Sequence, residues 1–117
     1  MSRDAVLILT PDLLAAALFG AAVELAGHRP HFAQDGEHGR EALRRTRPRI
    51  VVVDCDHDAF CDDALIGPAM MTGARVILVH SHRGSRDPRT LGVAHDLPVL
   101  TLPGDADRLV NLLRGRP

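Results

Sequence analysis

The sequence predicts a doubly wound α/β fold built on five parallel strands, and three observations lead there. Apolar runs of four or five residues, rich in Val, Ile and Leu, recur along the chain, and helical spacing or turn residues follow each one. The intervening segments have the length of helical crossovers, which parallel neighbours need and hairpins do not. Aromatics are scarce, with three Phe and no Trp or Tyr, so the core has to be built from Val, Leu, Ile and Ala. That composition suits a sheet covered by helices on both faces. A chain of 117 residues is expected to form one domain, spanning residues 1–117.

The first strand is Ala5 to Leu9, a continuous apolar run. Thr10 is positioned to cap the following helix and Pro11 to fill its first turn. That helix runs to about Ala26 and stops at Gly27. His31 to Gln34 reads as a short polar strand near an edge, Asp35-Gly36 as a turn, and Glu37 to Thr46 as a helix with a basic outer face. Pro48 ends that helix, and Ile50 to Val53 is the most strand-like stretch of the chain. A weaker helix over about Asp62 to Met71 is expected to be interrupted at Gly67-Pro68. Arg75 to Val79 is the fourth strand, and His82 to Asp96 has room for a short helix at most. Pro98 to Leu102 is the last strand. Asp105 to Leu113 is the last helix, with Asp105 as its cap. Right-handed crossovers between such strands give the flavodoxin-like order 2-1-3-4-5, whose ligand site lies at the carboxyl ends of the strands.

Charge and motifs narrow the function classes. The net charge of −1 gives no long-range attraction to nucleic acid. The longest apolar run, Leu13 to Val23, is shorter than the roughly 20 residues that cross a bilayer, so no membrane role is expected. Cys55 and Cys61 suggest no disulfide framework and no signal peptide precedes the first strand, so a cytoplasmic, reducing location is expected. The basic residues are all arginine. Arg40, Arg44, Arg45, Arg47 and Arg49 read as a solvated helix face with its following turn, and Arg83, Arg86 and Arg89 form a second cluster. No nucleophile elbow, P-loop or Gly-rich dinucleotide fingerprint is present, so an independent enzyme is not expected.

Three segments carry a family resemblance: RPRIVVVDCD (47–56), LAGHRPHFAQDGEHGREAL (25–43) and LPVLTLPGDADRLVNLL (97–113). With them the whole chain resembles a response-regulator receiver domain of the CheY-like kind. The resemblance implies that Asp54 stands at the phosphoacceptor position. It also implies an acidic, metal-holding pair after the first strand, where this chain has Thr10 and Pro11, with Asp12 one step further on. A Ser or Thr is implied at the end of the fourth strand, where His80 stands with Ser81 next, and a Lys before the last-strand proline, where Leu102 stands. Phosphoryl transfer to a carboxylate needs charge neutralised on the phosphoryl oxygens, normally by a metal and a cation. Mg²⁺ in turn wants near-octahedral oxygen ligands. The departures therefore point to a degenerate or pseudo-receiver. On its residues alone, Asp54 also reads as a strand-end carboxylate accepting hydrogen bonds from the following loop.

Two further sites are expected. No cofactor is required, but a metal would find Asp12, Asp54, Asp56 and His80 together at the strand ends. Mg²⁺ is one candidate, and a transition ion another, because His57, Asp58, His82, Cys55 and Cys61 lie close by in sequence. In the first helix, Leu14, Leu18, Ala21 and Leu25 are expected to face the sheet. Leu13, Ala16, Gly20 and Val23 would then form an apolar outer stripe for a protein partner, most simply a second copy in a two-fold dimer. Three functions follow: an interaction module in signal transduction that does not use Mg²⁺-dependent phosphorylation, a conventional receiver phosphorylated on Asp54, or a small metal- or ligand-binding domain.

Overall fold

The computed structural model describes residues 4–57, 59–81 and 87–115. In chain order the elements are β1 (Ala5–Leu9), α1 (Leu13–Leu25), β2 (Arg29–Phe32), α2 (Gly39–Thr46), β3 (Ile50–Asp54), α3 (Asp63–Met71), β4 (Arg75–Ser81), α4 (Arg89–His95), β5 (Val99–Leu102) and α5 (Ala106–Leu113). The strands form one parallel sheet in the order β2-β1-β3-β4-β5, as expected. Among the described residues no helix is long and apolar enough to cross a membrane.

The period of two in the strands divides the core. Leu7, Leu9, Val51, Val53, Val76 and Leu78 face α2 and α3, packing with Leu43, Leu65 and Ile66. Val6, Ile8, Ile50, Val52, Ile77 and Val79 face the other way, against Phe19 and Val23 of α1 and Leu109 and Leu113 of α5. Both faces are covered, which is why these strands read as unbroken apolar runs. The register aligns the strand ends, with Leu9 beside Val53, Asp54 beside Val79 and Ser81 beside Leu102.

Several boundaries and caps differ from expectation. Asp12, not Thr10, caps α1: its Oδ1 accepts from the Leu14 and Ala15 amides at 2.9 and 3.4 Å. Pro11 accordingly lies before the helix. β2 begins two residues early, at Arg29, and tolerates Pro30 because it is an edge strand. α3 is continuous through Pro68. The missing amide removes one hydrogen bond, while burial of Leu65, Ile66 and Ala69 holds the helix to the sheet. β4 extends past Val79 because His80 and Ser81 pair with Thr101 and Leu102 of β5. Asp105 stands at the N-cap position of α5, but its carboxylate accepts from the Thr101 amide instead.

Two corrections change the functional reading. The faces of α1 are reversed: Phe19, Gly20 and Val23 are buried and Ala16 half-buried, whereas Leu14, Leu18, Ala21 and Leu25 face solvent. Of the four residues expected to form the outer stripe, Leu13 alone is fully exposed. An Ala/Leu helix is apolar on every side, so spacing cannot choose its face, and the single bulky aromatic does. Phe19 enters the core, and Gly20 then lies where an added Cβ would sit 3.1 Å from the Phe32 ring. The second correction is that Cys55 and Cys61 form a disulfide, with Cα atoms 5.1 Å apart. The loop after β3 folds back on itself, and both residues are buried in the core. Spacing alone does not show such a return.

Candidate functional site

The carboxyl ends of β1, β3, β4 and β5 bring Thr10, Asp54, His80 and Leu102 to one end of the sheet. Asp12, Asp54, Asp56, His57, His80 and Leu102 are among the residues around a cavity of about 60 Å³. The hydrogen bonds among these residues decide what the cluster can do.

Asp54 is 4% exposed and is the one buried charged residue among those described. Burying a carboxylate costs several kcal/mol unless hydrogen bonds replace its water. Both oxygens receive one. The Thr10 hydroxyl donates to Oδ2 at 2.6 Å, and the Asp56 amide donates to Oδ1 at 2.9 Å. His57 Nε2 stands 4.0 Å from Oδ2 on a half-exposed side chain. Thr10 thus has a specific task at the position where the family resemblance implies an acidic residue: it is a donor to Asp54, and its oxygen also accepts from the Asp12 amide.

The neighbouring groups are engaged as well. Asp56 accepts from the Ser81 amide and hydroxyl, both at 2.8 Å, which ties the loop after β3 to the end of β4. His80 Nε2 lies 2.9 Å from Thr101 Oγ1, so the ring is held toward β5. Asp12 is occupied in capping α1, and the disulfide leaves neither cysteine as a thiolate. Among the described residues no three His, Cys, Asp or Glu side chains are grouped so as to hold a metal ion. The proposed ligands share a cavity without converging on one point. Asp58 and His82 lie outside the described residues.

The second arginine cluster is likewise committed where it is described. The Arg89 guanidinium binds the Asp87 carboxylate, at 2.6 Å for the closest pair, and holds that carboxyl well below its usual range, at about 2. Arg83 and Arg86 lie outside the described residues.

The wall contributed by β5 is the apolar Leu102, no described lysine or arginine lines the cavity, and 60 Å³ is about the volume that two waters take up in the liquid. The arrangement stabilises a buried carboxylate and stitches β1, β3 and β4 together. Sequence reasoning missed the Thr10 donor, the Asp56–Ser81 clamp and the disulfide. The first of these had a signal, since a hydroxyl beside a buried carboxylate position is a ready donor.

Comparison with known proteins bears on the fold. No protein-family model matches the chain, and no curated protein matches it. Solved structures do. The chemotaxis protein CheY4 of Vibrio cholerae is similar over 99% of this chain and 100% of its own, at 15% identity and a TM-score of 0.70. The signal receiver domain of a modulated diguanylate cyclase from Desulfovibrio desulfuricans is similar over 97% of this chain and 95% of its own, at 26% identity and a TM-score of 0.65. The pseudo-receiver domain of the CikA protein is similar over 97% of this chain and 96% of its own, at 17% identity and a TM-score of 0.66. The chain has the CheY-like receiver fold.

Replacing Thr10 with Ala is expected to destabilise the fold by about 1–3 kcal/mol, because a buried carboxylate oxygen loses its donor. In an Asp54→Ala background the same replacement should cost much less. Urea denaturation of the two single variants and the double variant measures the coupling, and additive losses would show that the Thr10–Asp54 bond carries no energy.

Proposed function

We propose that this chain is a signal-transduction module of pseudo-receiver type, whose output runs through protein contacts and not through Mg²⁺-dependent phosphorylation of Asp54. One observation carries the reading: both oxygens of Asp54 are hydrogen-bonded from within the protein, in a cavity walled by Leu102 where a cation would be needed. The likeness to the CikA pseudo-receiver domain supports it. The chain is read as having no catalytic activity of its own, and the buried Cys55–Cys61 bond removes the cysteine argument for a reducing compartment. Incubation with acetyl phosphate or beryllofluoride and Mg²⁺ should leave the mass and the amide spectrum unchanged. A phosphoryl mass increment that Asp54→Ala abolishes would make this a conventional phospho-receiver.

A second copy is the partner that α1 fits. Its outward residues Leu14, Leu18, Ala21 and Leu25 fall at spacings of four, three and four, the pattern of a helix seam. The helix carries one charge, Glu24, so like-charge repulsion between two copies is confined to that residue. Sedimentation should show a dimer for the wild type and a monomer for the Leu14→Glu/Leu18→Glu double variant. A wild type that stays monomeric at every concentration would overturn the reading. Gly20→Arg is unsuitable as the disrupting variant, because that position faces Phe32 inside the fold.

A further inference from the structure

A second concavity lies away from Asp54. A groove of about 610 Å³ lies at the opposite end of β3, between α2 and α3, and its walls carry Arg40, Arg44, Arg47 and Arg49. Leu43, Pro48, Pro68 and Thr72 complete its lining, which is more apolar than polar. Among the described residues no acidic side chain lines it. This volume falls within the range of small-molecule sites, roughly 300–1,000 Å³.

The charges in the groove are not balanced by the fold. None of the four arginines makes an ion pair with a described residue. Arg45, on the same helix, shows the contrast. It forks onto Glu37 at 2.8 and 2.9 Å and onto the Phe32 carbonyl, and the Glu37 carboxyl is held at about 2 mainly by that hydrogen bond. A solvated helix face would place basic residues toward the carboxyl end of α2, where they complement its dipole. That accounts for Arg44 and Arg45, which lie in the last turn. It does not account for Arg40, which lies in the first turn, where the dipole disfavours a cation.

Arg47 is the most telling of the four. It ends α2 with φ 46° and ψ 58°, a left-handed conformation that glycine usually supplies at this position. The backbone there would be better served by Gly, yet the position holds a guanidinium at the rim of the groove. Four like charges around one concavity are favourable when an anion joins them, and planar guanidinium groups recognise phosphate with paired N–H donors.

We infer that this groove binds a nucleotide-sized organic phosphate, with Arg40, Arg44, Arg47 and Arg49 on the phosphates and Leu43, Pro48 and Pro68 beneath the apolar part. The site is independent of Asp54 and of the pseudo-receiver reading. It would give the domain a small-molecule input at the end of the sheet opposite the strand-end cluster.

Titration calorimetry with ATP, inorganic pyrophosphate and adenosine tests it. ATP is expected to bind most tightly, pyrophosphate more weakly and adenosine not at all, with affinity falling steeply as salt is raised. Arg44→Ala and Arg49→Ala should each weaken ATP binding about ten-fold, the loss of a hydrogen bond to a charged group. Arg47→Gly separates binding from folding: its melting temperature should match or exceed that of the wild type while ATP binding weakens. Absence of ATP binding at millimolar concentration would overturn the site, as would binding that is the same in all three variants. Equal affinity for pyrophosphate and ATP would overturn the role of the apolar lining.

Discussion

A carboxylate that closes a central, doubly covered strand has little access to bulk water, so the protein has to supply its hydrogen bonds. Asp54 is in that position, and the consequences spread outward from it. Thr10 comes from the end of β1 to meet one oxygen, and the Asp56 amide turns back to meet the other. Asp56 is thereby set where its own carboxylate can grip Ser81 at the end of β4. Three strand ends are joined through one buried group and its successor two residues along. The Cys55–Cys61 bond closes the same loop from beneath. In a receiver fold this is where a metal and a phosphoryl group would be handled. Here the same corner is occupied by internal bonds.

That rearrangement gives the domain two chemically different ends. At the carboxyl ends of the strands lie Asp12, Asp54 and Asp56, around a space too small for an organic ligand. At the amino end of β3 lies a wide groove with four arginines. A net charge of −1 conceals this separation, because it averages an acidic pole and a basic one. Between them α1 presents leucines to solvent along its outer side. The sheet and its two cores fix the geometry of all three features without deciding what any of them binds.

Most of the architecture was legible in the sequence. The apolar runs at 5–9, 50–53, 75–79 and 98–102 marked strands covered on both faces, and each forms within two residues of its expected limits. The helical crossovers then left little choice of topology. What could not be read depended on three-dimensional proximity or on competition between near-equal options. α1 is apolar on every side, and its orientation followed from where Phe19 could be accommodated. Thr10 was expected to cap that helix, but its hydroxyl serves the buried carboxylate of Asp54, 44 residues on, and Asp12 caps the helix instead. Pro68 argued for a break that burial of Leu65 and Ile66 overrode. At the site, the sequence showed the departures from the receiver pattern. It could not reveal that the side chains hydrogen-bond one another and do not converge on a common ligand. The arginines of α2 were visible as a cluster, but the groove required α3 beside them.

The central claim is that Asp54 is already satisfied by Thr10 and Asp56. The most direct measurement is a Mg²⁺ titration followed by NMR, observing the Asp54 carboxyl carbon and the Asp56 amide. The account predicts that neither signal moves up to millimolar Mg²⁺. A saturable shift of both, lost in Asp54→Asn, would mean that a metal displaces the internal hydrogen bonds, and would contradict it.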